Sequence, residues 1–253
     1  MAVGTEEFAD FTLERAMDAE TVEVFSNRGG KLVELVRDEG VEFVRRIYMP
    51  DAVKEIEQVG VKFEEAFEAF AYMFEAAGLE IVDCALIEST LRSGKQRVIV
   101  AKYLGSLGID TDIMTLPFAA KVELAGSMGR LLTSHPDYMP ASQVFLTDAF
   151  AVDPTTSKAV LVDIDPYLKR RYTDRLGILD TEGSQGAILR ICGRIITKWA
   201  VDDGERTAMA SAYCRSAGHV ITDDSSLELL GHFGYVHFMA NGMSPEQLEG
   251  MGY

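Results

Sequence analysis

Apolar and polar positions follow a helical period most clearly between Pro50 and Gly78. Ile56, Val59, Phe63, Phe67, Phe70 and Phe74 recur every three or four residues, which lines one helix face with apolar and aromatic side chains. Glu55, Glu57, Lys62, Glu64, Glu65, Glu68 and Glu75 fall mostly off that stripe. Pro50-Asp51 supplies a start signal and Gly78 a C-terminal break. The pattern predicts one helix over 51–77, a rod of roughly 40 Å at about 1.5 Å per residue, along which the rest of the chain must pack.

The period changes on either side. Thr5-Glu6-Glu7 opens a short helix to about Met17, with Phe8, Phe11 and Leu13 as its apolar contacts. Val22 and Val24, then Leu32 to Val36, then Val41 to Ile47 are β-rich runs. Asn27-Arg28-Gly29-Gly30 and Asp38-Glu39-Gly40 separate them, and both are good turns. This predicts a two- or three-stranded ribbon over 21–49. Arg45, Arg46 and the acidic residues make it too polar for a core, so it must lie against something else. After the long helix, 79–107 reads as a second helical stretch broken at Ser93-Gly94, although Arg97 to Lys102 fits a strand equally well. A helix carrying Phe118, Val122, Leu124, Met128, Leu131 and Leu132 follows. His135 to Pro140 is a rigid loop, and 143–151 and 159–164 form a strand pair. Tyr167 to Leu176 reads as a short basic helix, 187–200 as a buried strand or helix, and Gly204 to Ser216 as a helix. His219 to Thr222 is a short strand, and Ser244-Pro245-Glu246-Gln247 starts a last helix. The fold class is α+β: an N-terminal arm and β-ribbon over 1–50, then a body over 51–253 that includes the long helix.

Charge narrows the partners. The net charge of −16 is uneven, with 19 acidic and 8 basic side chains in the first 80 residues. Such a field repels phosphate backbones, so no direct nucleic-acid binding is expected. The densest basic cluster, Lys169, Arg170, Arg171 and Arg175, reads as a solvated helix face. Cys84, Cys192 and Cys214 are odd in number and far apart, which points to a reducing compartment. With no signal-peptide pattern and no apolar run of the roughly 20 residues needed to span a bilayer, the expected setting is intracellular.

Motifs that fix a chemistry are missing. Neither G-x-G-x-x-G nor G-x-x-x-x-G-K-[ST] occurs, and there is no G-x-S-x-G elbow. The metal-type residues that cluster are Cys214, His219, His232 and His237, spaced C-x4-H-x12-H-x4-H. Zinc accepts one thiolate and three imidazoles, but the second cysteine of a finger is absent, and His232 and His237 would not share a helix face. Ordinary loop and interface duty is the better account of them. Glu64, Glu68 and Glu75 suggest a carboxylate-bridged metal site, yet no histidine precedes residue 135 to supply Glu-x-x-His. Asp163, Asp165 and Asp223-Asp224 fit turn and capping duty better than a calcium loop. No cofactor is expected.

The order of elements is more informative than any motif. A helical arm, a protruding ribbon over 21–49, a long helix over 51–77 and a mixed body resemble the layout of tailed-phage and encapsulin-type shell proteins. On that resemblance the ribbon would be the extended loop reaching over a neighbour, and the long helix the spine. The helix-to-strand passage over 122–150 and the acidic-ended strand Gly218 to Asp224 resemble parts of the body. The resemblance implies a self-assembling structural protein, a capsid or virion component without catalytic activity. It would be a homo-oligomer joined through Val22, Val24, Leu35 and Phe43 on the ribbon. The alternative is an intracellular α/β enzyme or small-ligand-binding protein, with its site near Cys214, His219, His232 and His237.

Overall fold

A computed structural model of the chain describes residues 2–3, 8, 11–88, 97–105, 113–131, 134–140, 149–153, 156, 158–170 and 199–217. Its centre is a six-stranded antiparallel sheet, ordered β1-β6-β7-β4-β3-β2. The strands are β1 (Ala2–Val3), β2 (Glu20–Arg28), β3 (Lys31–Asp38), β4 (Val41–Tyr48), β6 (Cys84–Glu88) and β7 (Arg97–Lys102). The three-stranded reading of 21–49 is thus correct, and β4 pairs along its length with β7, which makes the ribbon part of the main sheet. Both hairpins turn in two residues. Gly29 and Gly30 lie at φ 60° and 74°, and Glu39 and Gly40 at 48° and 86°. Positive φ at both central positions is what a tight hairpin between right-twisted strands requires.

The single long helix is a correction. The segment forms α2 (Pro50–Glu57) and α3 (Phe63–Ala77), after the short α1 (Leu13–Asp18). Gly60, at φ 88°, sits in the break. Glu65 closes the start of α3 by accepting from the Lys62 amide at 3.1 Å. Gly78 ends it in the left-handed conformation, its amide donating to the Glu75 carbonyl at 2.9 Å. The guanidinium of Arg130 takes up the Ala77 carbonyl at 2.9 Å. The aromatic stripe points where its spacing says: Phe63, Phe67, Phe70 and Phe74 are each buried.

The helical expectation for 79–107 is corrected as well, while the strand alternative for Arg97 to Lys102 holds. Its described residues form β5 (Glu80–Ile81), β6 and β7. Val98, Ile99 and Val100 are fully buried on both faces of the sheet, where β-branched side chains pack well. Beyond it come α4 (Phe118–Leu131), β8 (Tyr138–Pro140), β9 (Phe150–Val152), β10 (Ala159–Leu161), β11 (Leu168–Arg170) and α5 (Asp203–Ser216). Strands β9 and β10 are the expected antiparallel pair, and β10 also runs parallel to β5. The basic helix is corrected too, since Leu168–Arg170 is a strand paired with β8; Arg171 and Arg175 lie outside the described residues. So do 187–198, His219 to Thr222 and the 244–247 helix start.

The sheet separates two apolar clusters. The larger joins its inner face to α2, α3, α4 and α5 through Tyr48, Phe67, Phe74, Ile99, Met128 and Tyr213, among others. The smaller covers the outer face, where Phe8, Phe11 and Ala16 meet Phe43, Ile47 and Val98. Helices α4 and α5 pack very closely at Gly129. Among the described residues no helix is long and apolar enough to cross a membrane.

Candidate functional site

Adjacent residues of a strand point to opposite faces, and β4 uses this for two neighbouring arginines. The expectation that Arg45 and Arg46 keep this segment out of a core is wrong. Their relative exposures are 5% and 2%. On the outer face, Arg45 donates through Nε and Nη2 to one oxygen of Glu34, at 3.0 and 2.7 Å. Its Nη1 reaches the Ala16 and Met17 carbonyls at the end of α1, and Nη2 also meets the Thr21 hydroxyl. Every nitrogen of Arg45 is occupied, so this arginine ties α1 to the sheet.

Arg46 is different. On the inner face its Nη2 donates to the Val162 carbonyl at 2.7 Å and lies 3.5 Å from the Asp163 carboxylate. Its Nε and Nη1 meet no hydrogen-bond partner, although both are shielded from solvent. Two residues along the strand, the Tyr48 hydroxyl donates to Oδ1 of Asp165 at 2.7 Å and lies 3.1 Å from the Ile164 carbonyl. Lys31, the first residue after the Gly29-Gly30 turn, forms an ion pair with the other oxygen of Asp165. The segment 162–165, which follows β10, is therefore laid along β4 and held at alternate residues. Burial pushes the Tyr48 phenol well up, and the nearby Asp165 charge adds to this. Burial also raises Cys84 to about 12, partly offset by the Arg46 charge, which leaves it an inert thiol.

Glu64, at the start of α3, pairs with the buried Arg97 of β7 rather than with Arg46. His135-Pro136-Asp137 sits elsewhere. The imidazole stacks near Tyr72 and Tyr138, and its Nδ1 accepts from the Asp137 and Tyr138 amides at 3.1 and 3.2 Å. An open pocket of about 110 Å³ lies between Gly78, Glu80, Glu123, Ser127 and Lys158, sharing no residue with the Arg46 cluster.

The site residues expected from sequence do not assemble in the described part. Cys214 falls on α5, but its side chain and His219, His232 and His237 lie outside the described residues. Among the described residues no group of three or more His, Cys, Asp or Glu could hold a metal ion. Of the ribbon residues, Val22 and Val24 are exposed on the edge strand, whereas Leu35 and Phe43 are buried within the chain. Sequence reading took Arg46 for part of a polar ribbon and did not find it as a site residue. Its signal was an arginine at an inward position of a valine-rich strand, next to another arginine at an outward one.

No family model and no curated protein matches the chain. Among solved structures, "WaaP in complex with acyl carrier protein" is similar, with a TM-score of 0.55 and 11% identity, over 98% of this chain and 99% of that one. This likeness of fold overturns the reading as a self-assembling capsid or virion component. The ribbon is three strands of the main sheet of this fold, and the spine is two helices packed behind that sheet. At 11% identity the likeness is one of fold.

Proposed function

We propose that the chain is a small-ligand-binding α+β protein of enzymatic type, in which the buried Arg46 of β4 takes a phosphate of a nucleotide. The observation that carries this is Arg46, a buried guanidinium with Nε and Nη1 unpartnered. Leaving charged N–H groups buried and unpaired costs more than the roughly 1–3 kcal/mol of a neutral group. A phosphate removes that cost, since planar guanidinium donors match its oxygens.

The order of parts supports the reading. Protein kinases place a glycine-bearing hairpin, a phosphate-gripping cation on the following strand, a helix behind it, and later an aspartate that holds Mg²⁺. Gly29-Gly30, Arg46, α2–α3 and Asp163 come in that order here. Mg²⁺ in such sites takes one or two carboxylates plus phosphate oxygens and waters. Asp163 would supply one carboxylate, and the ion would neutralise phosphate charge.

Three departures favour ligand binding over phosphoryl transfer. The hairpin turn has two residues, too few to arch over phosphates. Helix α3 sends Glu64 to Arg97. The sequence over 141–148, between β8 and β9, reads Ala-Ser-Gln-Val-Phe-Leu-Thr-Asp and lacks H-R-D-x-x-x-x-N. Transfer remains the second reading, favoured by Asp163 directly after β10. Titration calorimetry with ATP and magnesium chloride tests the proposal. Saturable binding is expected, with loss in Arg46→Met shown to be folded by its thermal melt. Equal binding in both proteins overturns it. ADP release in the same samples decides between binding and transfer.

A further inference from the structure

A second cation shares the inner face with Arg46. Lys31 pairs across the strands with Tyr48, two residues along β4 from Arg46, so the three side chains project to one side. The Lys31 ammonium rests on Asp165, their side chains 18% and 10% exposed. Within three residues, Asp163 and Asp165 thus face two cations, Arg46 with two buried nitrogens unpartnered and Lys31 paired with Asp165.

The two cations are held differently. Arg46 is walled in and tethered through Nη2 to Val162. Lys31 carries a flexible four-carbon stem and a rotatable ammonium, at the end of a turn in which both residues have positive φ. Asp165 keeps the Tyr48 hydroxyl if the ammonium leaves. Lys31 can therefore pass from Asp165 to a ligand without stripping a buried carboxylate of all its partners. Reach sets what that ligand must be. Diagonal neighbours on paired strands are rooted about 7–8 Å apart, so Lys31 and Arg46 offer two separately rooted cations, which suits a ligand carrying more than one phosphate.

We infer that Lys31 is a second phosphate-binding cation, held in readiness by Asp165, and that it makes the site select di- and triphosphates over monophosphates. This rests on the phosphate reading of Arg46. The test is titration calorimetry of the whole chain with ATP, ADP and AMP in magnesium chloride. Lys31→Met should weaken ATP and ADP by about tenfold, equivalent to about 1.4 kcal/mol, and AMP by less than about twofold. Lys31→Arg should restore most of the loss. If Lys31→Met affects the three ligands equally, or none, this inference fails while the Arg46 reading stands. If the wild type binds none of the three, both fail. Asp165→Asn gives an independent arm, because it frees Lys31 and retains an acceptor for Tyr48. Tighter ADP binding is expected there, and unchanged or weaker binding overturns the inference.

Discussion

A Cβ built on Gly129 of α4 would stand 2.3 Å from the Tyr213 carbonyl oxygen of α5, with Ser216 Cβ at 3.0 Å. The helices meet there backbone to backbone. Glycine is required at that point for its missing side chain, not for its conformational freedom.

Gly129→Ala must therefore push α4 and α5 apart. Overpacking of this kind costs about 1–3 kcal/mol. Gly126→Ala, whose added carbon meets the Ser216 hydroxyl at 3.4 Å, should be tolerated. Chemical denaturation of both variants checks this, and equal stability would place the helices farther apart than described.

Phe67 lies mid-stripe on α3 at 1% exposure. Removing a buried ring costs about 3–5 kcal/mol, so Phe67→Ala should fall in that range. Tyr72→Ala, on the exposed side of the same helix, should cost under about 1 kcal/mol. A Phe67→Ala loss as small as that of Tyr72→Ala would mean the stripe faces solvent.

The Arg45–Glu34 pair is buried on both sides, at 6% and 8% side-chain exposure. Breaking one partner of such a pair costs about 3–5 kcal/mol, whereas replacing both with apolar groups is often neutral. Glu34→Leu should thus be more harmful than Glu34→Leu combined with Arg45→Met. Additive losses would argue that the carbonyls of α1 hold Arg45 without Glu34.

Glu205 has its carboxyl held below the usual range, first by the Val201 amide and then by the Lys121 ammonium at 2.9 Å. A lowered folded value means that the folded protein binds this proton less readily than the unfolded chain. The contribution is complete above the ordinary glutamate value of about 4.3 and vanishes as pH falls through the lowered one. The stability gap between wild type and Glu205→Gln should accordingly shrink in that acid window. A gap independent of pH there would remove Glu205 from the linkage.

Legibility in the sequence followed how local each cause was. The ribbon was readable because its turns are local: Gly29-Gly30 and Glu39-Gly40 carry the positive φ values that the hairpins need. Helix α4 was readable from its apolar period and α5 from its start at Gly204; the Asp202 carboxylate, which accepts the Glu205 amide at 2.8 Å and caps α5, went unread. The break between α2 and α3 was concealed because Ile56, Val59 and Phe63 keep the helical spacing across it, and Gly60 was its only local mark. Strands β6 and β7 were obscured because sheet pairing is a long-range event, with β7 registered against β4 some fifty residues earlier. Arg46 was invisible for the same reason, since its partners Val162 and Asp163 lie more than a hundred positions away. The pattern Val-Arg-Arg-Ile shows two charges, and only tertiary contacts assign one to each face.

Adjacent arginines with separate destinations also act as an indexing device. If β4 slid by one residue during folding, either Arg46 would face Glu34 and Ile47 would stand beside Val162, or Val44 would face Glu34 and Arg45 would stand beside Val162. In the first case Glu34 accepts the substitute, but in both α1 loses Arg45, and Phe43 and Ile47 leave the outer cluster. Each shifted arrangement strands a carboxylate or a guanidinium away from water. The misaligned sheet is thereby a poor trap, and a chain that collapses wrongly is driven to unzip and realign.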